Sequence, residues 1–374
     1  MNNQRNIKII ISGGGTGGHV FPAISIANAL KAKDKNIDIL FVGAIGKMEM
    51  EKVPAAGYKI VGLPVMGFHR KFTFKNFLFF FKLLSSMLKA GNVVTSFKPD
   101  VVVGVGGFAS GPILRVASRR NNPALIQEQN SYPGVTNKIL AKSVNKICVA
   151  YEGLERYFPA EKIIITGNPV RQDLENIFEK KEEALKHFDL AGNKRVILIV
   201  GGSLGARTVN LSLYNHIKKL IDSKVQIIWQ TGKEFFPQAE ELVKKLNCKD
   251  IKVFSFVSRM DLAYSVADLV VSRAGASTIS ELCLVHKPAI FVPSPNVAED
   301  HQTKNAMAMI THNAAMMVED KEAEKILVDL ALDLVKDDFR LSVLRENIAK
   351  MAYKNSANLI ADEILKLVGV NERN

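Results

Sequence analysis

Short apolar runs alternate with longer stretches of helical spacing along almost the whole chain, and one three-part pattern starts twice. Ile7 to Ile11, rich in β-branched residues, enters the loop Ser12-Gly13-Gly14-Gly15-Thr16-Gly17-Gly18-His19, and an apolar-periodic segment from about Val20 to Leu30 follows with Pro22 in its first turn. Mid-chain, Val196 to Val200 enters Gly201-Gly202-Ser203-Leu204-Gly205-Ala206 and then a helical segment through Leu220. Each reads as strand, glycine loop, helix. Further strand-like runs are Ile37 to Val42, Val101 to Val105 and Ile147 to Val149, then Val225 to Trp229, Ile251 to Phe254, Leu269 to Val271 and Ala289 to Val292. Continuous apolar strands separated by helices indicate parallel sheets buried on both faces. The expected fold class is α/β, with two Rossmann-like doubly wound parallel-sheet domains and a cleft between them.

At 374 residues the chain exceeds one ordinary core, given about 100–200 residues per domain. The turn-rich segment Thr166-Gly167-Asn168-Pro169-Val170, followed by the charged stretch Arg171 to Glu183, marks the boundary. The expected domains are 1–168 and 169–353. From about Leu341 to Val368 the spacing is helical with little glycine or proline; spacing alone leaves open which lobe this covers, and its last part, 354–374, is expected to pack back on the first domain.

Composition narrows the class only so far. With 47% apolar and 23% charged residues the chain is globular, and its net charge of +13 points to an anionic partner: nucleic acid, anionic lipid headgroups or phosphorylated substrates. No aromatic-rich RNA motif or zinc module accompanies the charge, so nucleic acid is not expected. Cys148, Cys248 and Cys283 lie far apart, which suits a reducing compartment and argues against a zinc site. The densest apolar stretch, Phe77 to Phe81 with Leu83 and Leu84, is broken by Lys82 and falls short of the roughly 20 residues a membrane span needs. The N-terminus lacks a secretory pattern, so a cytoplasmic location is expected.

Residues 69–89 combine basic and aromatic positions. Lys75, Lys82 and Lys89 recur at heptad spacing, while Phe77, Phe80, Phe81, Leu84 and Leu88 make an apolar face. The pattern fits an interfacial helix on an anionic membrane and equally a core helix covering the sheet.

The candidate chemistry lies in the loops. Gly13-x-Gly15-x-x-Gly18 matches a dinucleotide fingerprint, in which glycines let backbone N–H groups approach an anion at a helix N-terminus. A nicotinamide site also needs an acidic residue at the end of the second strand, and here that strand ends Phe41-Val42-Gly43-Ala44, which disfavours an oxidoreductase. Two more glycine turns, Gly104 to Gly111 and Ser272 to Ser277, follow strands. Any one could be simple strand-to-helix turning; together they suggest a site built around phosphates. Thr278-x-x-Glu281 fits a capping box, and Glu281 equally fits a ribose acceptor.

These motifs, with Gly167-Asn168-Pro169-Val170-Arg171 and Ser272-Arg273-x-Gly275-Ala276-x-Thr278-x-Ser280-Glu281, run in the order found in the MurG family of glycosyltransferase family 28, which the chain resembles over nearly its whole length. The resemblance implies the GT-B fold and an inverting, β-1,4-forming transfer of N-acetylglucosamine (GlcNAc) from UDP-GlcNAc to the 4-hydroxyl of N-acetylmuramic acid (MurNAc) in undecaprenyl-pyrophosphoryl-MurNAc-pentapeptide, turning lipid I into lipid II in cell-wall synthesis. It implies a peripheral place at the cytoplasmic face of the plasma membrane, with cell-wall and division machinery as further partners, and no cofactor. Carried over residue by residue, Ala276, Ser277, Thr278, Ile279, Ser280 and Glu281 hold diphosphate and ribose, Val257 meets uracil through its backbone, and Ser203 and Arg171 face the phosphates. Gln302 reaches the sugar hydroxyls, Asn130 lies at the reacting centre, and Thr16, Gly17 and Gly18 face the acceptor pyrophosphate. The chain departs from the family at Leu204, where a polar residue is frequent, and at Gln127, where histidine is frequent.

An inverting transfer needs a base for the acceptor hydroxyl and stabilisation of departing UDP. His19 is the expected base, since imidazole titrates near neutrality and follows the loop facing the acceptor; orienting that loop is its alternative role, with His301 and Glu128 in reserve. No Asp-x-Asp occurs in the chain, so the helix N-terminus near Ala276 and Arg171 would meet the leaving charge without a metal. The rival readings are another UDP-sugar-dependent lipid glycosyltransferase or a sugar epimerase of the same fold.

Overall fold

A computed structural model describes residues 6–65, 74–170, 174, 177–202 and 205–369, with the backbone alone at 74–80, 178 and 298. The chain divides into two compact units, Met1–Val170 with Lys354–Asn374, and Arg171–Tyr353.

The first unit begins β1 (Lys8–Ser12), α1 (Gly17–Lys33), β2 (Asp38–Ala44), α2 (Glu49–Ala55), β3 (Lys59–Leu63) and α3 (Phe74–Phe97). It continues β4 (Val101–Gly104), α4 (Ser110–Arg119), β5 (Ala124–Glu128), α5 (Val135–Leu140), β6 (Lys146–Val149) and β7 (Ile163–Ile165). Its seven strands lie in the order β3-β2-β1-β4-β5-β6-β7, all parallel. Ile9, Ile10 and Ile11 are all fully buried, and they divide by the pleat: Ile9 and Ile11 pack with Val20, Ile26 and Leu30 of α1, while Ile10 packs with Val93 and Val94 of α3 and Ile113 of α4. Burial of both faces is why this strand reads as an unbroken apolar run.

The second unit contains α6 (Lys181–Phe188), β8 (Val196–Val200), α7 (Arg207–Asn215), α8 (Ile217–Asp222), β9 (Gln226–Gln230), α9 (Phe236–Lys245), β10 (Ile251–Phe254) and α10 (Met260–Val266). There follow β11 (Leu269–Ser272), α11 (Ala276–Leu284), β12 (Ala289–Phe291), α12 (His301–Ile310), β13 (Met316–Met317), α13 (Asp320–Leu334) and α14 (Asp338–Lys350). Its parallel sheet runs β10-β9-β8-β11-β12-β13. Val196 and Leu198 face one core with Leu262 and Ile279, and Ile197 and Ile199 face the other with Val209 and Leu327.

The helical C-terminal segment is two helices rather than one. After α14 the chain breaks at 351–355, where Asn355 takes a left-handed φ of 58°, and α15 (Ser356–Val368) returns to the first unit. Ile360, Ala361 and Ile364 of α15 join the core beneath α1, and Lys33 pairs with Asp362.

In both sheets the strand order reverses between the first strand and its neighbour, β1 beside β4 and β8 beside β11. A crevice opens at such switch points beyond the carboxyl ends of the strands. The four glycine loops of the sequence follow these four strands, so the topology gathers them as two facing pairs.

Candidate active site

In the first unit the loops after β1 and β4 meet closely enough to require glycine. A Cβ on Gly107, at φ +85°, would lie 2.3 Å from the Gly14 carbonyl oxygen, and one on Gly106, at φ +88°, would lie 2.6 Å from His19 Cδ2. Thr16 is the N-cap of α1, and Gly17, Gly18 and His19 form its first turn. His19 Nδ1 lies 3.2 Å from the Gly14 carbonyl oxygen and 3.2 Å from Thr16 Oγ1. A carbonyl only accepts, so a hydrogen bond to Gly14 calls for the tautomer with its proton on Nδ1, which leaves Nε2 as the basic nitrogen. The Gly15 N–H, expected to face an anion, instead donates to Glu49 Oε2 at 2.9 Å.

The end of β5 adds a buried polar cluster. Glu128 accepts from Asn130 N and Nδ2, both at 3.0 Å, from Gly134 N at 3.1 Å and from Asn137 Nδ2 at 2.8 Å. Glu128 thereby ties Asn130, Gly134 and Asn137 of the following loop to the end of β5. Gln129 Nε2 donates to the Val105 carbonyl, and Gln127 Nε2 donates to Asn168 Oδ1. Asn168 Nδ2 in turn donates to the Gln129 carbonyl, so the segment marked as a domain boundary also braces this edge.

In the second unit a Cβ on Gly205 would lie 2.4 Å from the Thr231 carbonyl oxygen, which presses the loop after β8 onto the end of β9. There Gln230 bridges two loops: its Oε1 accepts from Val257 N at 2.9 Å and its Nε2 donates to the Gly202 carbonyl at 3.1 Å. The backbone N–H of Val257 is therefore engaged within the protein. Helix α11 starts at Ala276 with Gly275 as N-cap, which puts Thr278 inside the first turn. The Thr278–Glu281 capping box does not form, because the helix begins too early for Thr278 to cap it. Glu281 Oε2 accepts instead from the Tyr264 hydroxyl at 2.9 Å. Ser277 Oγ is buried without a hydrogen-bond partner among the described residues, and Ile279 and Ser280 continue the helix towards Glu281. Arg273 pairs with Asp320 and donates to the Val292 carbonyl, tying the loop after β11 to the end of β12. Gln302, in the first turn of α12, accepts from Ser294 N at 2.8 Å. His301 begins the same helix. Arg171 and Ser203 lie outside the described residues.

Glu49, Tyr264 and Gln230 were missed in the sequence. Their partners lie 34, 17 and 27 residues away, and no local motif signals such pairings.

Of the basic aromatic segment, 69–73 lie outside the described residues, and 74–80 are helical backbone in α3. Beyond them Phe81, Leu84 and Leu88 are 58%, 60% and 65% exposed, with Lys82 and Lys89 also exposed, whereas Ala90, Val93 and Val94 enter the core. The helix thus passes along its length from an exposed apolar stretch to one packed in the core. The exposed part borders an apolar groove of about 550 Å³ lined by Leu84, Met87, Phe108 and Ile139 and by Arg115 and Arg119. Among the described residues no helix is long and apolar enough to cross a membrane.

Comparison with known proteins agrees with this geometry. The glycosyltransferase family 28 N-terminal domain matches residues 9–149, and the family 28 C-terminal domain matches 196–364. The chain is 58% identical to the UDP-N-acetylglucosamine–N-acetylmuramyl-(pentapeptide) pyrophosphoryl-undecaprenol N-acetylglucosamine transferase of Parabacteroides distasonis, over 98% of this chain and 99% of the relative. It is 54% identical to the protein of the same name from Bacteroides thetaiotaomicron, over 97% and 98%. The crystal structure of Acinetobacter baumannii MurG superposes with a TM-score of 0.75 at 28% identity, covering 96% of this chain and 99% of that one. A UDP-N-acetylglucosamine 2-epimerase superposes at 0.65 with 13% identity, over 99% and 98%, a likeness of fold alone. With both family domains matched in order and full-length relatives above half identity, the chain belongs to glycosyltransferase family 28, in its MurG branch.

Proposed function

We propose that the chain is an inverting glycosyltransferase that moves GlcNAc from UDP-GlcNAc to the 4-hydroxyl of MurNAc in lipid I, giving lipid II and UDP. The observation that carries this reading is 58% identity, across nearly the full length of both chains, to a protein named for that transfer.

The second unit takes the donor. The N-terminus of α11, with the orphaned Ser277 hydroxyl among Ala276 to Ser280, suits a diphosphate. Glu281, held by Tyr264, accepts from ribose hydroxyls. With its N–H engaged by Gln230, Val257 offers a uracil its carbonyl. Gln302 reaches the sugar, and Arg171 and Ser203 complete the phosphate contacts.

The first unit takes the acceptor, with Thr16, Gly17 and Gly18 towards its pyrophosphate and Asn130 at the reacting centre. His19 Nε2 removes the proton of the 4-hydroxyl as that oxygen attacks the anomeric carbon. The bond from that carbon to the UDP oxygen breaks on the opposite face, which inverts the configuration. Charge developing on UDP is met by the α11 N-terminus and Arg171. Phe81, Leu84 and Leu88 with the neighbouring basic residues rest on the anionic cytoplasmic leaflet, where the lipid-linked acceptor is anchored and where cell-wall and division proteins would meet the enzyme.

The test is transfer of labelled GlcNAc from UDP-GlcNAc to a short-chain lipid I analogue, with Glu281→Ala alongside. Transfer by the native chain that collapses in the variant is expected. Tight UDP-GlcNAc binding without transfer to this acceptor would overturn the reading in favour of another acceptor.

A further inference from the structure

The glycine loop after β1 has the form of an anion cradle, and the anion inside it is a carboxylate of the chain itself. Glu49 opens α2 with a side chain that is fully buried. Its Oε1 accepts from Ala44 N at the end of β2, and its Oε2 accepts from Gly15 N, each at 2.9 Å. Two glycines, one in the loop after β1 and one in β2, make the slot: a Cβ on Gly14 would lie 2.1 Å from Glu49 Oε1, and one on Gly43 would lie 2.5 Å from Glu49 Cγ. An apolar side chain could fill such a slot without the desolvation that a buried carboxylate costs, so packing alone does not explain the residue.

What Glu49 grips is one edge of a peptide plane. The Gly15 N–H and the Gly14 carbonyl belong to the same rigid trans unit and point in opposite directions from it. The N–H donates to Glu49, and the carbonyl on the far edge faces His19 Nδ1 at 3.2 Å. Glycine flanks this plane on both sides, so little in the local backbone resists its rotation. If it turned over, an N–H rather than a carbonyl would face Nδ1, favouring the tautomer with its proton on Nε2.

We propose that Glu49 is a positioning residue for His19: by holding the Gly15 N–H it fixes the Gly14–Gly15 peptide plane, and that plane holds the imidazole with Nε2 as its basic nitrogen. The proposal rests on the reading of His19 as the base. Glu49→Gln keeps the shape of the side chain but puts an NH₂ where one of two backbone donors needs an oxygen.

The full-length chain with Glu49→Gln, His19→Ala and the two combined is assayed for kcat and for KM of UDP-GlcNAc. In parallel, ring-nitrogen NMR of histidine-labelled protein reports the tautomer, the His19 signals being those lost in His19→Ala. Glu49→Gln is expected to lower kcat about 10- to 100-fold, as small misplacements of a reacting group do, with donor KM little changed. It should move the His19 Nδ1 signal from the protonated towards the unprotonated position and cost nothing further in the His19→Ala background. An unchanged Nδ1 signal, or an equal loss of kcat with and without His19, overturns the proposal. Should Glu49→Gln fail to fold, Glu49→Asp, one methylene too short to reach both amides, gives the same comparison. Near-normal turnover by His19→Ala would remove the base reading, while the ring-nitrogen signals would still judge the brace.

Discussion

Removing a single hydroxyl tests the donor half of the site. In Tyr264→Phe the ring, 1% exposed, keeps its packing, and the 2.9 Å hydrogen bond to Glu281 Oε2 is lost. A hydrogen bond to a charged group contributes about 1.5–3 kcal/mol. Glu281 is only half-buried, so the lower end applies, and about 1.4 kcal/mol corresponds to a tenfold change. With Glu281 holding the ribose, a carboxylate freed from Tyr264 must be ordered again each time donor binds. The ribose is distant from the bond being broken, so the loss falls equally on ground state and transition state. KM for UDP-GlcNAc should therefore rise about tenfold while kcat stays within about twofold. Glu281→Ala should cost more, and adding Tyr264→Phe to it should cost nothing extra, because the two act through one contact. Steady-state kinetics at saturating acceptor read all three variants. An unchanged donor KM in Tyr264→Phe, beside a large rise in Glu281→Ala, would refute the claim that Tyr264 orients the carboxylate.

Other perturbations follow from the same geometry. Gly107→Ala combines a φ of +85° with a Cβ 2.3 Å from a backbone oxygen and should destabilise the first unit by more than about 2 kcal/mol in chemical denaturation; a loss under about 0.5 kcal/mol would contradict the close approach of the two loops. Leu84→Ser with Leu88→Ser should weaken binding to anionic phospholipid vesicles at least tenfold, since a buried leucine contributes about 1.5–3 kcal/mol, and equal binding would remove the membrane face. Burial lowers Lys287 to about 8 while its amine donates to the Ser265 and Ala267 carbonyls. Between about pH 8 and the ordinary lysine value of 10.5 the unfolded chain binds a proton that the folded chain does not, so stability relative to Lys287→Met should rise with pH across that window, by an amount on the order of 3 kcal/mol; parallel melting curves would refute it. Asp261, held well below the usual carboxylate range chiefly by its hydrogen bonds from Arg259, also pairs with Lys180, and Asp261→Asn should cost the second unit about 3 kcal/mol at neutral pH, with the gap closing as acid protonates the native aspartate; an equal difference at all pH values would count against it.

Much of this fold is legible along the chain because a parallel sheet covered on both faces demands unbroken apolar strands, and Ile7 to Ile11 or Val196 to Val200 cannot hide that demand. The strands that escaped notice had physical reasons to do so. β5 carries Gln127 and Glu128 within a fully buried strand, tolerable only because both are hydrogen-bonded, while β7 and β13 are edge strands of 3 and 2 residues, too short to form a run, and the edge strand β3 is interrupted by Gly62. The helix bearing Lys82 and Lys89 left membrane and core readings open because an apolar face has the same spacing whatever covers it; burial in the folded unit separates Val93 from Leu88.

The sequence by itself determined the two strand–glycine loop–helix starts and the family order of the motifs, since each depends on residues adjacent in the chain. Only the tertiary structure decided which loops face one another, that the capping box of Thr278 and Glu281 gives way to a hydrogen bond from Tyr264, and that Glu49 rather than a ligand takes the Gly15 amide. Those pairings join residues carried on different elements, and contacts made by topology leave no period or spacing in the chain to read.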